Sequence, residues 1–204
     1  MTPHLHGPRF ADSLLLSATS PEWASVAASQ LDATLADHAH CEKKAAVSAL
    51  ALINDYPEDA RLVRALGHVA EEEIAHFREV HARLLERGAT LDRDRGDPYA
   101  RALLALVRRD NRARKLDRLL VCALIEARSC ERFGLLRGEL ELRGEAALAR
   151  WYQRLESAEA GHAALFVHLA SDEHGETETT TRVGELAREE ARIVAELPLA
   201  PRIH

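Results

Sequence analysis

Two Glu-x-x-His pairs, Glu73–His76 and Glu159–His162, are the residues in this 204-residue chain best placed to do chemistry. On a helix, positions three apart share a face, so each pair sets a carboxylate beside an imidazole. That donor set suits a divalent cation such as iron or manganese, which takes oxygen ligands together with an imidazole. About one such pair is expected from the Glu and His content alone, so the pairs by themselves prove little. The order of the acids adds more. Glu42 precedes the first pair and Glu126 precedes the second, each by a similar stretch of chain.

The elements that must position these residues are helices. Hydrophobic residues make up 47% of the chain and aromatic residues only 4%. Ala, Leu, Glu and Arg dominate, which favours helix over a β-sandwich or barrel. The length suits one domain, residues 1–204, with a single core over about 21–171. Ser20-Pro21-Glu22 opens a first long helix, as N-cap, first helical proline and first-turn acid, and Tyr56-Pro57 stops it after about Asn54. A second runs from near Glu58 to Arg87-Gly88. A turn-rich crossover over 89–97 leads to a short helix, about Pro98 to Arg109. The third and fourth long helices cover about Leu116–Glu141 and Glu145–Ser171. A polar linker, Asp172 to Thr181, precedes a C-terminal amphipathic helix over about 182–197. Two helical hairpins joined by a crossover predict an all-α four-helix bundle, with an extra short helix between the hairpins in chain order.

The helical stripes decide what the acids do. In the second helix the 3.6-residue stripe is Leu62, Leu66, Val69, Glu73, His76, Val80, Leu84. In the fourth it is Leu148, Tyr152, Leu155, Glu159, His162, Phe166, Leu169. The first and third carry Glu42 and Glu126 in mid-stripe. Carboxylates on otherwise apolar stripes cost several kcal/mol each unless neutralised. A pair of divalent cations resolves this, in the pattern of the ferritin-like di-iron carboxylate proteins. The predicted metal-binding and catalytic set is therefore Glu42, Glu73, His76, Glu126, Glu159 and His162. Glu71 and Glu72 turn away from the stripe and read as solvated; Glu131 and Glu156 could stand behind the ligands but fit surface acids better. His38, one turn before Glu42, is either an orienting group for it or core or surface packing, the commoner role, and Cys130 reads as small-residue packing.

The three cysteines, Cys41, Cys122 and Cys130, form no CxxC, which excludes a zinc ribbon or disulfide framework. The N-terminus lacks the basic and apolar regions of an export signal, and no apolar stretch approaches a bilayer span, so the cytoplasm is the expected location. The net charge of −6 excludes a wholesale polycation. One local basic run remains: Arg101, Arg108, Arg109, Arg112, Arg114, Lys115 and Arg118, against Asp110 and Asp117. Such a run can face a phosphate backbone, although a solvated charged loop explains it as well. Lys43 and Lys44 are weaker candidates for the same role.

Four segments resemble the MiaE family, the tRNA 2-methylthio-isopentenyl-adenosine hydroxylases, which are ferritin-like di-iron monooxygenases. They are Asp37-His38-Ala39-His40-Cys41-Glu42-Lys43-Lys44-Ala45-Ala46, Glu71-Glu72-Glu73-Ile74-Ala75-His76-Phe77, Ile125-Glu126-Ala127-Arg128-Ser129-Cys130-Glu131-Arg132-Phe133 and Ala158-Glu159-Ala160-Gly161-His162. The last departs from the family pattern, with Ala160, Gly161 and Ala163 where larger residues are usual. The resemblance implies two iron ions, with manganese compatible with the same ligands, and dioxygen as co-substrate. It also implies an external electron donor and, as substrate, the tRNA anticodon stem-loop. The isopentenyl group of the modified adenosine beside the anticodon would then be hydroxylated. A ferritin-like ferroxidase, or another di-iron oxygenase acting on a small molecule, would use the same ligands. The sequence sets no oligomeric state.

Overall fold

Three aspartates fix where helices start. Asp59 accepts from the backbone N–H groups of Arg61 and Leu62 at 3.1 and 2.9 Å. Asp97 accepts from Ala100 N at 2.9 Å, and Asp110 from Ala113 N at 3.1 Å. Each satisfies a first-turn donor that the helix itself cannot. The structure, a computed structural model, describes residues 8–204, with side chains from Phe10 onward. Among the described residues every regular element is a helix: α1 (Pro8–Leu14), α2 (Glu22–Ser29), α3 (Leu31–Asp55), α4 (Ala60–Glu86), α5 (Pro98–Leu104), α6 (Asn111–Leu142), α7 (Ala146–His174) and α8 (Glu176–Glu196).

The differences from the predicted elements have physical causes. The first long helix is broken at Gln30, whose φ of −120° and ψ of 46° leave the helical region. The buried Thr34 hydroxyl donates to Ala27 O at 2.9 Å, across the break. A side-chain hydroxyl that reaches back to a carbonyl competes with the regular ladder in this way. The short helix ends at Leu104, because the chain beyond it is captured by Asp117, which accepts from Arg108 N at 2.9 Å. Capping by Asp110 starts α6 at Asn111, several residues before the predicted Leu116. The predicted linker over 172–181 is almost wholly helical. α7 runs to His174 and α8 begins at Glu176, with Gly175 at φ +84° making the reversal alone. Threonine-rich sequence is a poor helix former. Here Glu176 and Glu178 favour the helix N-terminus, Thr181 back-bonds to Thr177 O at 2.8 Å, and Thr179 is buried.

The chain divides into two compact units. One is Val26–Gly96 with Ala200–Ile203, and its frame is the α3–α4 hairpin. The other comprises the described residues up to Ser25, Asp97–Leu199 and His204. In it α6 packs along α7, α1 and α8 lie against both, and α5 packs on α8 and α6.

A buried ion network ties the second unit together. Arg128 has no exposed surface, and all five of its N–H groups are used. It grips Glu190 of α8 through Nε and Nη2, at 2.9 and 3.0 Å. Its remaining bonds go to Glu131 Oε2 at 2.5 Å, Thr19 Oγ1 at 3.1 Å and Ser17 O at 3.0 Å. Tyr99 of α5 donates to Glu190 at 2.9 Å, and Thr19 donates twice to Glu131, at 2.8 and 2.6 Å. Breaking one partner out of a buried pair strands the other charge, at about 3–5 kcal/mol. Glu190→Ala should therefore lower unfolding stability by about 3 kcal/mol or more in urea titration. A change under about 0.5 kcal/mol, as for a surface residue, would contradict the network's role.

Candidate metal centre

In the unit built on α3 and α4, the buried residues of α4 are the predicted stripe with Ala70 added: Leu62, Leu66, Val69, Ala70, Glu73, His76, Val80 and Leu84. Glu71 and Glu72 are exposed, as expected from that register. Glu42 is buried on α3. One ligand atom from each of Glu42, Glu73 and His76 lies within 4.8 Å of the other two. His76 Nδ1 stands 3.7 Å from Glu42 Oε2 and 3.8 Å from Glu73 Oε2. Those distances are too long for hydrogen bonds. They match two donors sharing a cation, since ligands roughly 2.0–2.2 Å from an ion stand about 3–4 Å from each other.

His38 takes the less common of the two roles that its spacing left open. It is fully buried, and its Nε2 lies 2.5 Å from Glu42 Oε1. This bond holds one carboxylate oxygen, while Glu42 Oε2 faces His76. His38 is thus a positioning residue for Glu42, and the four-residue spacing on one stripe was its signal.

The other unit repeats the composition. Glu126 of α6 and Glu159 and His162 of α7 are buried, with one ligand atom from each within 4.8 Å of the others. His162 Nδ1 stands 3.7 Å from Glu159 Oε2, again beyond hydrogen bonding. The small residues that depart from the family pattern are partly internal: Ala160 and Ala163 are fully buried, while Gly161 is exposed.

The neighbouring residues have other work. Cys130 Sγ donates to Glu156 O at 3.3 Å. Burial, with the Glu156 carboxylate beside it, pushes this thiol far up, and burial pushes the Cys122 thiol up to about 12. Neither is a thiolate at neutral pH. Glu131 and Glu156, expected at the surface, are engaged: Glu131 by Arg128 and Thr19, and Glu156 by Arg137 at 3.0 Å. Within the Ile125–Phe133 segment, only Glu126 joins the cluster.

The basic run is divided. Arg101, Arg109 and Arg112 are exposed, and Arg114 and Arg118 are half-buried. Arg108 donates to Asp117 through Nε at 2.9 Å and Nη2 at 2.7 Å, and Asp117 also accepts from Arg182 at 2.8 and 3.0 Å. Burial pushes the Asp117 carboxyl up, but the two guanidiniums outweigh it and hold it below the usual carboxylate value. Lys115 is a correction: it is buried and paired with Glu173, so its ammonium belongs to the interior of the unit and not to an exposed rim. Arg112 and Arg114 sit at the start of α6, where the helix dipole disfavours cations. Asp110 at the N-cap and Glu178, 3.3 Å from Arg112 Nη2, supply the compensating negative charge.

Among the described residues, no helix is long and apolar enough to cross a membrane. A solved structure described as a protein with aldehyde deformylating oxygenase activity from Synechococcus superimposes with a TM-score of 0.87 at 33% identity, covering 93% of this chain and 94% of that one. The fold and the buried Glu/His clusters thus define a ferritin-like, all-α oxygenase with the makings of a metal centre. A curated tRNA 2-(methylsulfanyl)-N(6)-isopentenyladenosine(37) hydroxylase from Pseudomonas putida is 35% identical over 177 residues, 87% of this chain and 84% of that protein. The hydroxylase of the same name from Salmonella typhimurium is 31% identical over 116 residues, 57% of this chain and 42% of its own. The model of the tRNA-(MS2IO6A)-hydroxylase family, MiaE, matches residues 9–204, and the chain belongs to that family.

Loss of an orienting hydrogen bond to a ligand typically costs 10–100-fold in metal affinity. His38→Ala should weaken manganese or ferrous binding to the metal-free protein by about that factor, with the helical circular dichroism unchanged. Unaltered affinity in a folded variant would reduce His38 to packing.

Proposed function

We propose that this chain hydroxylates the isopentenyl group of 2-methylthio-isopentenyl-adenosine beside the tRNA anticodon, using dioxygen and two electrons from an external donor. What carries the reading is the pair of buried Glu plus Glu-x-x-His trios, in a chain that matches the tRNA hydroxylase family over residues 9–204. Glu42, Glu73, His76, Glu126, Glu159 and His162 would hold two iron ions, in a chain that we read as one ferritin-like domain. Their oxygen-rich set with one imidazole per ion accepts manganese as well, so iron rests on the chemistry required. An allylic carbon offers no acid, base or nucleophile chemistry, and two reduced irons would supply the electrons that activate dioxygen.

The chain's own residues contribute three things. The carboxylates neutralise and hold the ions, with Glu42 fixed by His38. The apolar residues of the stripes keep bulk water from a reactive centre. Arg101 and Arg109, exposed, offer charge to the phosphate backbone of an anticodon stem-loop, where Arg108 is spent on Asp117 and Arg112 donates to Glu178 at 3.3 Å. Action on tRNA would place the protein in the cytoplasm.

The structural relative with aldehyde deformylating activity favours a second reading, an oxygenase acting on a small aldehyde. Nucleoside mass spectrometry separates the two. Isopentenylated tRNA incubated in air with reduced, iron-loaded protein should gain one oxygen on the modified adenosine, and Glu73→Ala should abolish the gain. No gain on tRNA, with loss of the formyl carbon from an offered aldehyde, would overturn the first reading for the second.

A further inference from the structure

The turn-rich crossover after α4 does more than connect. With α3 and the segment 200–203 it walls a cleft of about 280 Å³, entirely within one unit. That is just under the roughly 300–1,000 Å³ of small-molecule sites, the scale of one nucleotide's backbone. Ala33 and Ala36 form the floor, one turn apart on α3, so a ligand can approach the helix closely. Arg93, Arg95 and Arg202 stand around it.

The walls are built, not loose. Asp37 accepts from Ile203 N at 2.8 Å, and Arg202 Nη1 donates to Gly96 O at 2.9 Å. His40 bonds both ways: Nε2 lies 2.8 Å from Asp92 O, and Nδ1 lies 3.0 Å from Lys43 Nζ. Lysine can only donate, so Nδ1 accepts from Lys43 and Nε2–H donates to the Asp92 carbonyl. Asp94 turns back to accept from Gly96 N at 2.8 Å, with Lys44 Nζ and Lys43 Nζ at 3.8 and 4.0 Å from its other oxygen. Asp94 thus serves the loop, while Arg93 and Arg95 on either side of it are both exposed. The lining itself sets Arg93, Arg95 and Arg202 against Asp37, Asp92 and Asp94, and Lys43 and Lys44, which answer Asp94 from outside the lining, tip the local balance to positive.

We propose that this cleft binds a phosphodiester of the tRNA backbone, with Arg93 and Arg95 as the two contacting guanidiniums. The proposal rests on the tRNA reading above and adds a contact that the basic run of 101–118 does not supply. Two exposed arginines beside a pocket with a small-residue floor suit a phosphate with its ribose, and planar guanidinium forks match phosphate geometry.

The test is the salt dependence of tRNA binding by the full, metal-loaded protein, read by fluorescence anisotropy. Each phosphate contact adds about 0.7–0.9 to the slope of log affinity against log salt. The Arg93→Ala, Arg95→Ala double variant should bind more weakly at low salt, with a slope shallower by about 0.7–0.9, the loss of one phosphate contact. The Arg93→Lys, Arg95→Lys variant should keep the wild-type slope. An unchanged slope in the alanine variant, while wild type binds and hydroxylates tRNA, overturns the cleft and leaves the tRNA reading standing. Saturable binding of inorganic phosphate lost in the alanine variant, with the tRNA slope intact, also overturns it, in favour of a free-phosphate site. If wild type shows no salt-dependent tRNA binding, the parent reading fails and the cleft fails with it.

Discussion

A carboxylate on the apolar stripe of a helix must be neutralised, and this chain places four of them there. Glu42, Glu73, Glu126 and Glu159 are each at most 5% exposed. Unpaired ions in such surroundings would cost more than the whole net stability of a domain, about 5–15 kcal/mol. The helices are long and regular where these acids sit. The chain thus builds a rigid apolar frame about an ionic group, and the frame is worthwhile only if a cation completes it.

The Arg128 network shows how the same protein handles buried acids that are not for metal. There a guanidinium is supplied from within the chain, each of its five donors has an acceptor, and the acids Glu190 and Glu131 are closed off by it. The network is complete and leaves nothing to bind. The Glu/His trios are of another kind. Their carboxylates face imidazole nitrogens at 3.7–3.8 Å, where no hydrogen bond forms and an ion fits. The segment Ile125 to Phe133 joins both systems: Glu126 belongs to the trio and Arg128 to the closed network two residues on.

Much of this was legible in the residues. Helical periodicity placed all six ligand candidates on buried faces, because a 3.6-residue stripe interrupted by Glu and His is hard to produce otherwise. Local signals failed where distant parts of the chain decide the outcome. Gln30 breaks a helix that its propensity would continue, since Thr34 reaches back across it. The threonine-rich start of α8 is helical because Thr179 is buried in its own unit. Lys115 looked like part of a basic rim until Glu173, far along the sequence, claimed it. Arg128 and Glu190 are ordinary charged residues until the fold brings them together, and no local pattern announces such a pair. His38 was within reach: its spacing from Glu42 was visible, but an imidazole one turn from an acid is common without a bond.

The dioxygen chemistry of the family, its tRNA substrate and the two trios meet in one requirement, that two metal ions be held per chain. The most direct measurement is an anaerobic equilibrium titration of the metal-free protein with ferrous ion, counting ions bound per chain. The account predicts two, bound with comparable tightness because each trio has the same donor composition. A protein that saturates with one ion, or binds none while remaining folded, would contradict it.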